Sequence, residues 1–184
     1  TVVGNIDAYR FMINTGNPLP QLPKSEWFAQ GEGNQLGVRI DRFKVEALQG
    51  ELTGVASLDW SKLLSWTAEV QAKNINPETL FPNWPGKIDF DIVNKGVYQN
   101  DLLNTDIEIV KLNGQLKEYP LNLKGRLNLK DNPLPIIATE EVKKATGTPK
   151  MLTIKELEIT SMSAQLQATG EVALSDSIDW NIAI

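Results

Sequence analysis

Apolar and polar residues alternate along most of this 184-residue chain. The alternation has a period of two, which is typical of β-strands that turn one face towards an apolar surface and the other towards water. It is clearest at residues 88–92, where Asp89 and Asp91 separate apolar side chains. The same pattern recurs at residues 66–72, 121–129, 152–154, 157–159 and 178–184. It predicts an all-β protein with about a dozen strands.

Short stretches at residues 25–29, 76–81 and 139–145 are predicted to form helical turns, none longer than about two turns. Helices this short cannot cover the apolar face of so many strands, so the sheet itself, another chain or a ligand must shield it. A long, rolled, one-sided, taco-like sheet would enclose an apolar groove. The alternatives are a closed β-barrel, which would leave internal space at about a dozen strands, and a β-sandwich, whose two sheets would fill each other's faces. Periodicity alone favours the sandwich at least as much.

The chain also matches itself at a fixed shift. Trp66 aligns with Trp180 and Val38 with Leu152, a separation of 114 residues in both cases. We interpret this as a first β-repeat at residues 5–118 and a second, truncated copy at residues 119–184, together forming one continuous rolled sheet. Repeats that join edge to edge make elongated structures, so the chain would be a piece of a longer repetitive protein. The competing interpretation is that any amphipathic β-protein matches itself at some shift.

The composition argues against most chemical functions. The chain has no cysteine and no histidine, so it lacks thiolate and imidazole metal ligands and the commonest general base. The net charge of −5, with lysine and arginine scattered singly, argues against binding to nucleic acid. Asp89 and Asp91 share one strand face, a pattern more typical of a solvated surface than of a cation site. We therefore predict no enzyme activity, no catalytic residue and no metal site.

Residues 50–85 carry a more specific pattern. Two glycines punctuate a strand pair, tryptophans mark the strand that follows, and two proline-containing turns complete the unit, at Gly50, Gly54, Trp60, Trp66, Asn76, Pro77 and residues 82–86. The order of these elements resembles the repeated units of the TamB family, within the wider AsmA-like group. The similarity covers most of the chain. It departs from the pattern at Ser161 and Ser163, which flank Met162 where the first copy has Gly50.

This resemblance implies a function. TamB-like proteins of Gram-negative bacteria are expected to shield phospholipid acyl chains in an apolar groove that bridges the periplasm between the inner and outer membranes. Phospholipid or detergent would occupy the groove, with no other cofactor. An inner-membrane anchor outside this chain and an outer-membrane, TamA-like barrel reached through other parts of the protein would complete the bridge. The alternatives are a scaffold that assists translocation and assembly of outer-membrane proteins such as autotransporters by β-augmentation, and a purely structural spacer.

The residues expected to line the groove are apolar members of the alternating stretches. They are Leu52, Leu58, Trp60, Trp66, Val70, Ile88, Phe90, Ile92, Leu121, Leu123, Leu127, Leu129, Leu157, Ile159, Leu166, Leu174, Trp180 and Ile182. Core packing uses the same residue types, so a purely structural role is an equally good interpretation for Trp60, Trp66 and Trp180. Trp84 lies between prolines and is expected to brace a turn.

Overall fold

The protein is a single antiparallel sheet. The computed structural model describes residues 9–16, 25–131, 150–174 and 178–183. They form eleven strands, each paired with its neighbours in the chain. The strands are β1 (Tyr9–Gly16), β2 (Glu26–Asn34), β3 (Gly37–Ala47), β4 (Gly50–Asp59), β5 (Leu64–Ile75), β6 (Gly86–Gln99), β7 (Leu102–Leu116), β8 (Tyr119–Asp131), β9 (Lys150–Ser161), β10 (Ala164–Leu174) and β11 (Ile178–Ala183).

Helical structure in the described residues is confined to one 3-10 turn, Pro77–Thr79. Asn76 caps it, because its Oδ1 accepts a hydrogen bond from Glu78 N at 3.0 Å. The prediction of a helical turn at residues 25–29 was wrong. These residues enter β2, where Trp27 and Ala29 pair with β3 and continue its apolar row. The turn predicted at residues 139–145 lies outside the described residues.

The sheet is open and one-sided. In the described ranges, β1 pairs only with β2 and β11 only with β10, so the sheet does not close into a barrel. The same ranges contain no second sheet of the kind that a sandwich needs. The prediction of a long, rolled, one-sided sheet is therefore confirmed.

Four strands, β3, β5, β7 and β9, contain β-bulges. In β3 the register passes from Ile40 to Phe43 while β4 passes only from Ala56 to Gly54, so β3 carries one extra residue. The extra residue keeps Ile40 and Phe43 on the same side of the sheet although they are three positions apart. Bulges increase local twist and bend the strand that carries them. Bulges in alternate strands therefore curl the whole sheet.

The buried hydrophobic side chains indicate which face of the curled sheet is concave. Among the described residues they are Val45, Ala47, Ala72, Ile75, Ile154 and Ala168, and the strand register assigns all of them to one face. No other layer covers that face in the described structure. Its burial must come from neighbouring strands that bend towards each other, so the curl is concave on this side.

The strand ends form two long rims. We call one the upper rim, defined by the connections at residues 35–36, 60–63 and 100–101. The lower rim is defined by the turns at residues 48–49, 117–118 and 162–163 and by the longer connection at residues 76–85. Any molecule held along the concave face would run across the strands, between these rims.

Candidate functional site

One face of the sheet is apolar across all the strands whose side chains are described. Cross-strand partners in an antiparallel sheet point to the same side, so the register assigns each side chain to a face. One row of partners is Val45, Leu52, Ala72, Phe90, Leu112, Leu123, Ile159 and Leu166. The adjacent row is Phe43, Gly54, Val70, Ile92, Ile109, Gly125, Leu157 and Ala168. We call this surface the apolar face.

The residues predicted to line a groove fall on this face, with one exception. Those that share it are Leu52, Leu58, Trp66, Val70, Ile88, Phe90, Ile92, Leu121, Leu123, Leu127, Leu129, Leu157, Ile159, Leu166, Leu174, Trp180 and Ile182. For Trp180 and Ile182 the assignment rests on backbone register alone, as partners of Val172 and Gly170. Contact of any of these residues with lipid stays a prediction.

The exception is Trp60, which follows β4 at the upper rim. Its backbone N donates to Leu36 O at 2.8 Å, and its indole Nε1 donates to Gln35 O at 2.6 Å. Both acceptors lie in the turn between β2 and β3. Trp60 therefore ties this turn to the end of β4, a structural task that the sequence pattern did not reveal.

The apolar face is only half covered. None of the predicted groove residues with a described side chain is buried, and Leu58, Leu166 and Leu174 are 37%, 36% and 37% exposed. A filled β-sandwich would bury side chains of this size almost completely. In the described chain, no large side chain reaches less than 2% exposure. The face is thus a concave apolar surface that its own side chains do not fill.

Several large side chains lie flat over glycines of the next strand. A Cβ on Gly96 would come within 2.1 Å of the Trp66 ring, and a Cβ on Gly54 within 2.8 Å of the Phe43 ring. In both cases the glycine and the ring are cross-strand partners. Because the glycine has no side chain, the ring can rest on the backbone. This arrangement keeps the ring close to the sheet, so that it projects little into the concavity.

A polar network lies within this face, and the sequence analysis missed it. Asn94 Oδ1 accepts from Trp66 Nε1 at 2.6 Å, while Asn94 Nδ2 donates to Thr105 Oγ1 at 2.7 Å and to Asp106 O at 3.0 Å. Thr105 Oγ1 donates in turn to Lys95 O at 3.1 Å. The available signal was Asn94 itself, a polar residue at a position where the period of two calls for an apolar one.

A second polar pair marks the upper rim of the same face. Lys150 Nζ donates to Asp131 Oδ1 at 2.8 Å, and Leu103 N donates to Asp131 Oδ2 at 2.7 Å. The Asp131 side chain is only 6% exposed. Burial alone would raise the pKa of Asp131, but the hydrogen bonds from Lys150 and Leu103 outweigh it and lower the pKa below its ordinary value. The carboxylate is therefore charged at neutral pH and joins β7, β8 and β9.

The opposite face is polar and laced with ion pairs. Lys124 contacts Glu158 at 2.9 Å and Arg126 contacts Glu156 at 2.6 Å, both between β8 and β9. The hydrogen bond with Glu158 raises the pKa of Lys124. These side chains are largely exposed, and exposed pairs contribute little to stability. This face meets water and strengthens the contrast between the two sides.

The polar face also contains a shallow depression of about 610 Å³ beside the β3 bulge. Phe28 and Val55 supply apolar surface, and Arg42 lies over the Phe28 ring with its guanidinium carbon 5.1 Å from the centroid. Arg42 also donates to Gln30 Oε1 at 2.9 Å. The two basic groups at its edge, Arg42 and Lys44, are partnered, so we interpret the depression as a consequence of the bulge.

The candidate cation pair has a structural explanation. Asp89 Oδ1 accepts from Asn74 N at 2.7 Å, beside the bulge of β5 where Asn74 adopts a φ of 56°. Asp89 thereby satisfies a backbone donor that the bulge removes from the ladder. Among the described residues, no three acidic side chains gather into a group that could hold a metal ion.

Trp84 lies in the connection at the lower rim. Its N donates to Phe81 O at 2.8 Å, and the ammonium of Lys117 lies 5.1 Å from the centroid of its ring. Lys117 belongs to the neighbouring turn, and its backbone N donates to Pro85 O at 2.6 Å. Trp84 thus links the two lower-rim connections, in agreement with its predicted role in a turn.

Comparison with known families places the chain. A protein-family model described as TamB, N-terminal domain, matches residues 1–184, the whole sequence. No solved structure matches the chain. The described helical structure is too short to provide a membrane-spanning helix. TamB proteins are non-enzymatic proteins of the bacterial envelope, linked to lipid transport and to translocation and assembly. By this match over its full length, the chain belongs to the TamB family.

Proposed function

We propose that the apolar face holds phospholipid acyl chains away from water, as part of a periplasmic bridge between the inner and outer membranes. One observation carries the proposal: the predicted groove residues other than Trp60 share a concave face, and those whose side chains are described remain partly exposed. A protein that needed this face only for its own core would bury it. An apolar surface of this extent requires an occupant, and the family is linked to lipid transport.

The energetics favour an acyl chain as that occupant. Exposure of a chain of sixteen carbons to water costs about 12 kcal/mol, at about 0.8 kcal/mol for each methylene group. Leucine, isoleucine and phenylalanine side chains recover this energy without directional bonds. A lipid could therefore shift from one row of partners to the next at little cost, which suits a conduit better than a site for tight binding.

The polarity of the two faces fits the proposed compartment. The polar face, on the convex side, carries exposed ion pairs such as Lys124 with Glu158 and Lys155 with Asp106, so it can face water without a covering layer. The apolar face, on the concave side, cannot face water without a covering layer. An inner-membrane anchor and an outer-membrane, TamA-like barrel would connect the two ends of the groove through other parts of the protein.

Site-specific photocrosslinking tests the proposal directly. A benzoylphenylalanine placed at Leu123 on the apolar face should crosslink to phospholipid in living cells. The matched control is the same probe at Asn122, the next residue of β8, which points to the polar face. We expect lipid adducts, detected by mass spectrometry, at position 123 and none at position 122. Equal labelling at both positions, or no lipid at position 123, would contradict the proposal.

The family's link to translocation and assembly supports a second candidate function. A scaffold for outer-membrane protein assembly would work through main-chain pairing with a client strand and not through the apolar face. In that case the probe at Leu123 should capture no lipid.

A further inference from the structure

Trp66 occupies an unusual position on the apolar face. It lies on β5, directly opposite Gly96 of β6, the middle strand of the eleven. A Cβ on Gly96 would meet Trp66 Cζ2 at 2.1 Å, Cε2 at 2.5 Å and Cη2 at 2.6 Å. All of these atoms belong to the indole. The ring therefore covers the Gly96 backbone and lies along the sheet instead of standing upright in the concavity.

Hydrogen bonds hold the ring in this orientation. Trp66 Nε1 donates to Asn94 Oδ1 at 2.6 Å, and Asn94 cannot rotate freely because its Nδ2 donates to Thr105 Oγ1 and to Asp106 O. Thr105 is only 7% exposed and is anchored to Lys95 O. The network thus crosses β5, β6 and β7 and satisfies its polar atoms internally, leaving the flat, apolar side of the indole towards the concavity.

The network has a cost that packing alone does not explain. Asn94 and Thr105 place polar groups in the middle of a face that is otherwise mostly apolar, and valine or leucine would serve a plain sheet better. What the network adds is a fixed orientation for the largest side chain near the centre of the sheet. An indole free to rotate could stand upright and obstruct the concavity.

We propose that Trp66, held flat against Gly96 by Asn94, sets the depth of the groove at the middle of the sheet, so that acyl chains pass over the face of its indole. This inference rests on the proposed lipid-holding function. Trp66 is then a specificity-determining residue that sets the depth of the groove. Asn94 and Gly96 are positioning residues that act through Trp66.

The test uses a substitution that moves only the ring. In Gly96→Ala the new methyl group meets side-chain atoms of Trp66, which can swing away, so the indole must rise into the groove. We expect phospholipid per folded protein, measured by mass spectrometry of the full protein purified from native membranes, to fall about tenfold, which corresponds to the loss of about two buried methylene contacts. The double variant Gly96→Ala/Trp66→Ala removes the raised ring and should restore the lipid content.

Rescue separates this role from a merely structural one. If Gly96→Ala leaves the lipid content unchanged, or if Trp66→Ala fails to restore it, the inference is overturned. Should Gly96→Ala not fold, Asn94→Leu releases the indole without adding bulk beside it, and the same loss and rescue are expected. Crosslinking at Leu123 keeps the two proposals apart. Lipid adducts there with an unchanged Gly96→Ala variant reject only the depth-setting role, and absence of adducts in the unmodified protein rejects the lipid-holding function itself.

Discussion

Ile40 and Ile154 occupy equivalent places in the sheet. Ile40 of β3 pairs with Ala56, and 114 residues later Ile154 of β9 pairs with Gly170. A bulge follows each of them at once, with pairing resumed at Phe43 and at Leu157 respectively. The two bulges are separated by the same shift as the tryptophans, while the internal repeat at residues 5–118 and 119–184 stays a prediction.

Deletion of the bulge residue should straighten β3 without changing its faces. Removal of Asp41 would place Ile40 and Phe43 two positions apart, so both keep their side of the sheet and their pairing with β4, while the bend at the bulge is lost. We expect a loss of about 1–2 kcal/mol in the free energy of unfolding, because a flatter sheet covers its apolar face less completely. Urea denaturation followed by circular dichroism measures it.

The matched control is Asp41→Ala. It removes the exposed contact of Asp41 with Arg39, at 2.8 Å, but keeps the chain length and the bulge. This variant should stay within about 0.5 kcal/mol of the unmodified protein. A deletion variant as stable as Asp41→Ala would mean that the bend at this bulge does not help to cover the apolar face.

The bulges also explain what the sequence could and could not predict. The period of two identified the strands and the apolar face, because a half-wet sheet needs that alternation. Residues 152–154 and 157–159 were nevertheless read as separate stretches, since the alternation changes phase between them. The structure joins them in β9, with the extra residue absorbed by the bulge. A change of phase without glycine or proline is thus a sequence signal for a bulge.

The candidate site was predictable in outline but not in its polar details. The spacing of aliphatic residues along a strand is enough to assign them to one face of the sheet. The apolar face could therefore be predicted from their alternation with polar residues. Trp60 has the same chemistry, yet it bonds to Gln35 because β4 ends one residue earlier, and strand ends are poorly defined by periodicity. Asn94 and Asp131 depend on partners in neighbouring strands, whose register the sequence does not specify.

The buried hydroxyl of Thr105 should contribute measurably to stability. Thr105→Val keeps the shape of the side chain but removes the acceptor for Asn94 Nδ2 and the donor to Lys95 O. We expect a loss of about 1–2 kcal/mol in the free energy of unfolding. Thr67→Val is the matched control, because the Thr67 hydroxyl bonds to Ser57 at 2.8 Å on the exposed polar face. An equal effect of the two substitutions would contradict the assigned network.

The ion pair at the upper rim predicts a dependence on pH. The pKa of Asp131 is lowered in the folded protein from its ordinary value of 3.8, so its carboxylate stabilises the fold fully above that value. The contribution is lost as the pH falls through the lower, folded-state pKa. Asp131→Asn should cost about 1–2 kcal/mol at pH 7, and the difference from the unmodified protein should shrink as the pH falls below the ordinary value of 3.8.

A second variant assigns this dependence to the pair. Lys150→Met removes the ammonium that contacts Asp131 Oδ1 but leaves the hydrogen bond from Leu103 N. It should therefore reproduce part of the pH effect of Asp131→Asn and not all of it. Thermal unfolding of the three proteins over this pH range provides the measurement, and parallel curves for all of them would reject the assignment.

Charge substitutions along one row of partners distinguish an unfilled groove from a filled core. Leu123 and Ala72 lie in the same row, but Leu123 is partly exposed whereas Ala72 is 2% exposed. Leu123→Arg can extend its guanidinium into the open concavity, so it should fold with a loss of no more than about 1 kcal/mol. Ala72→Arg must bury its charge against the neighbouring strands and should cost about 4 kcal/mol or more.

The comparison is informative because the two variants add the same group to the same face. In a structural spacer with a filled core, both substitutions would bury a charge, and both proteins would fail to fold. A groove left open for a ligand tolerates the first and not the second. Circular dichroism and urea denaturation report the difference, and collapse of Leu123→Arg together with Ala72→Arg would favour the spacer over the conduit.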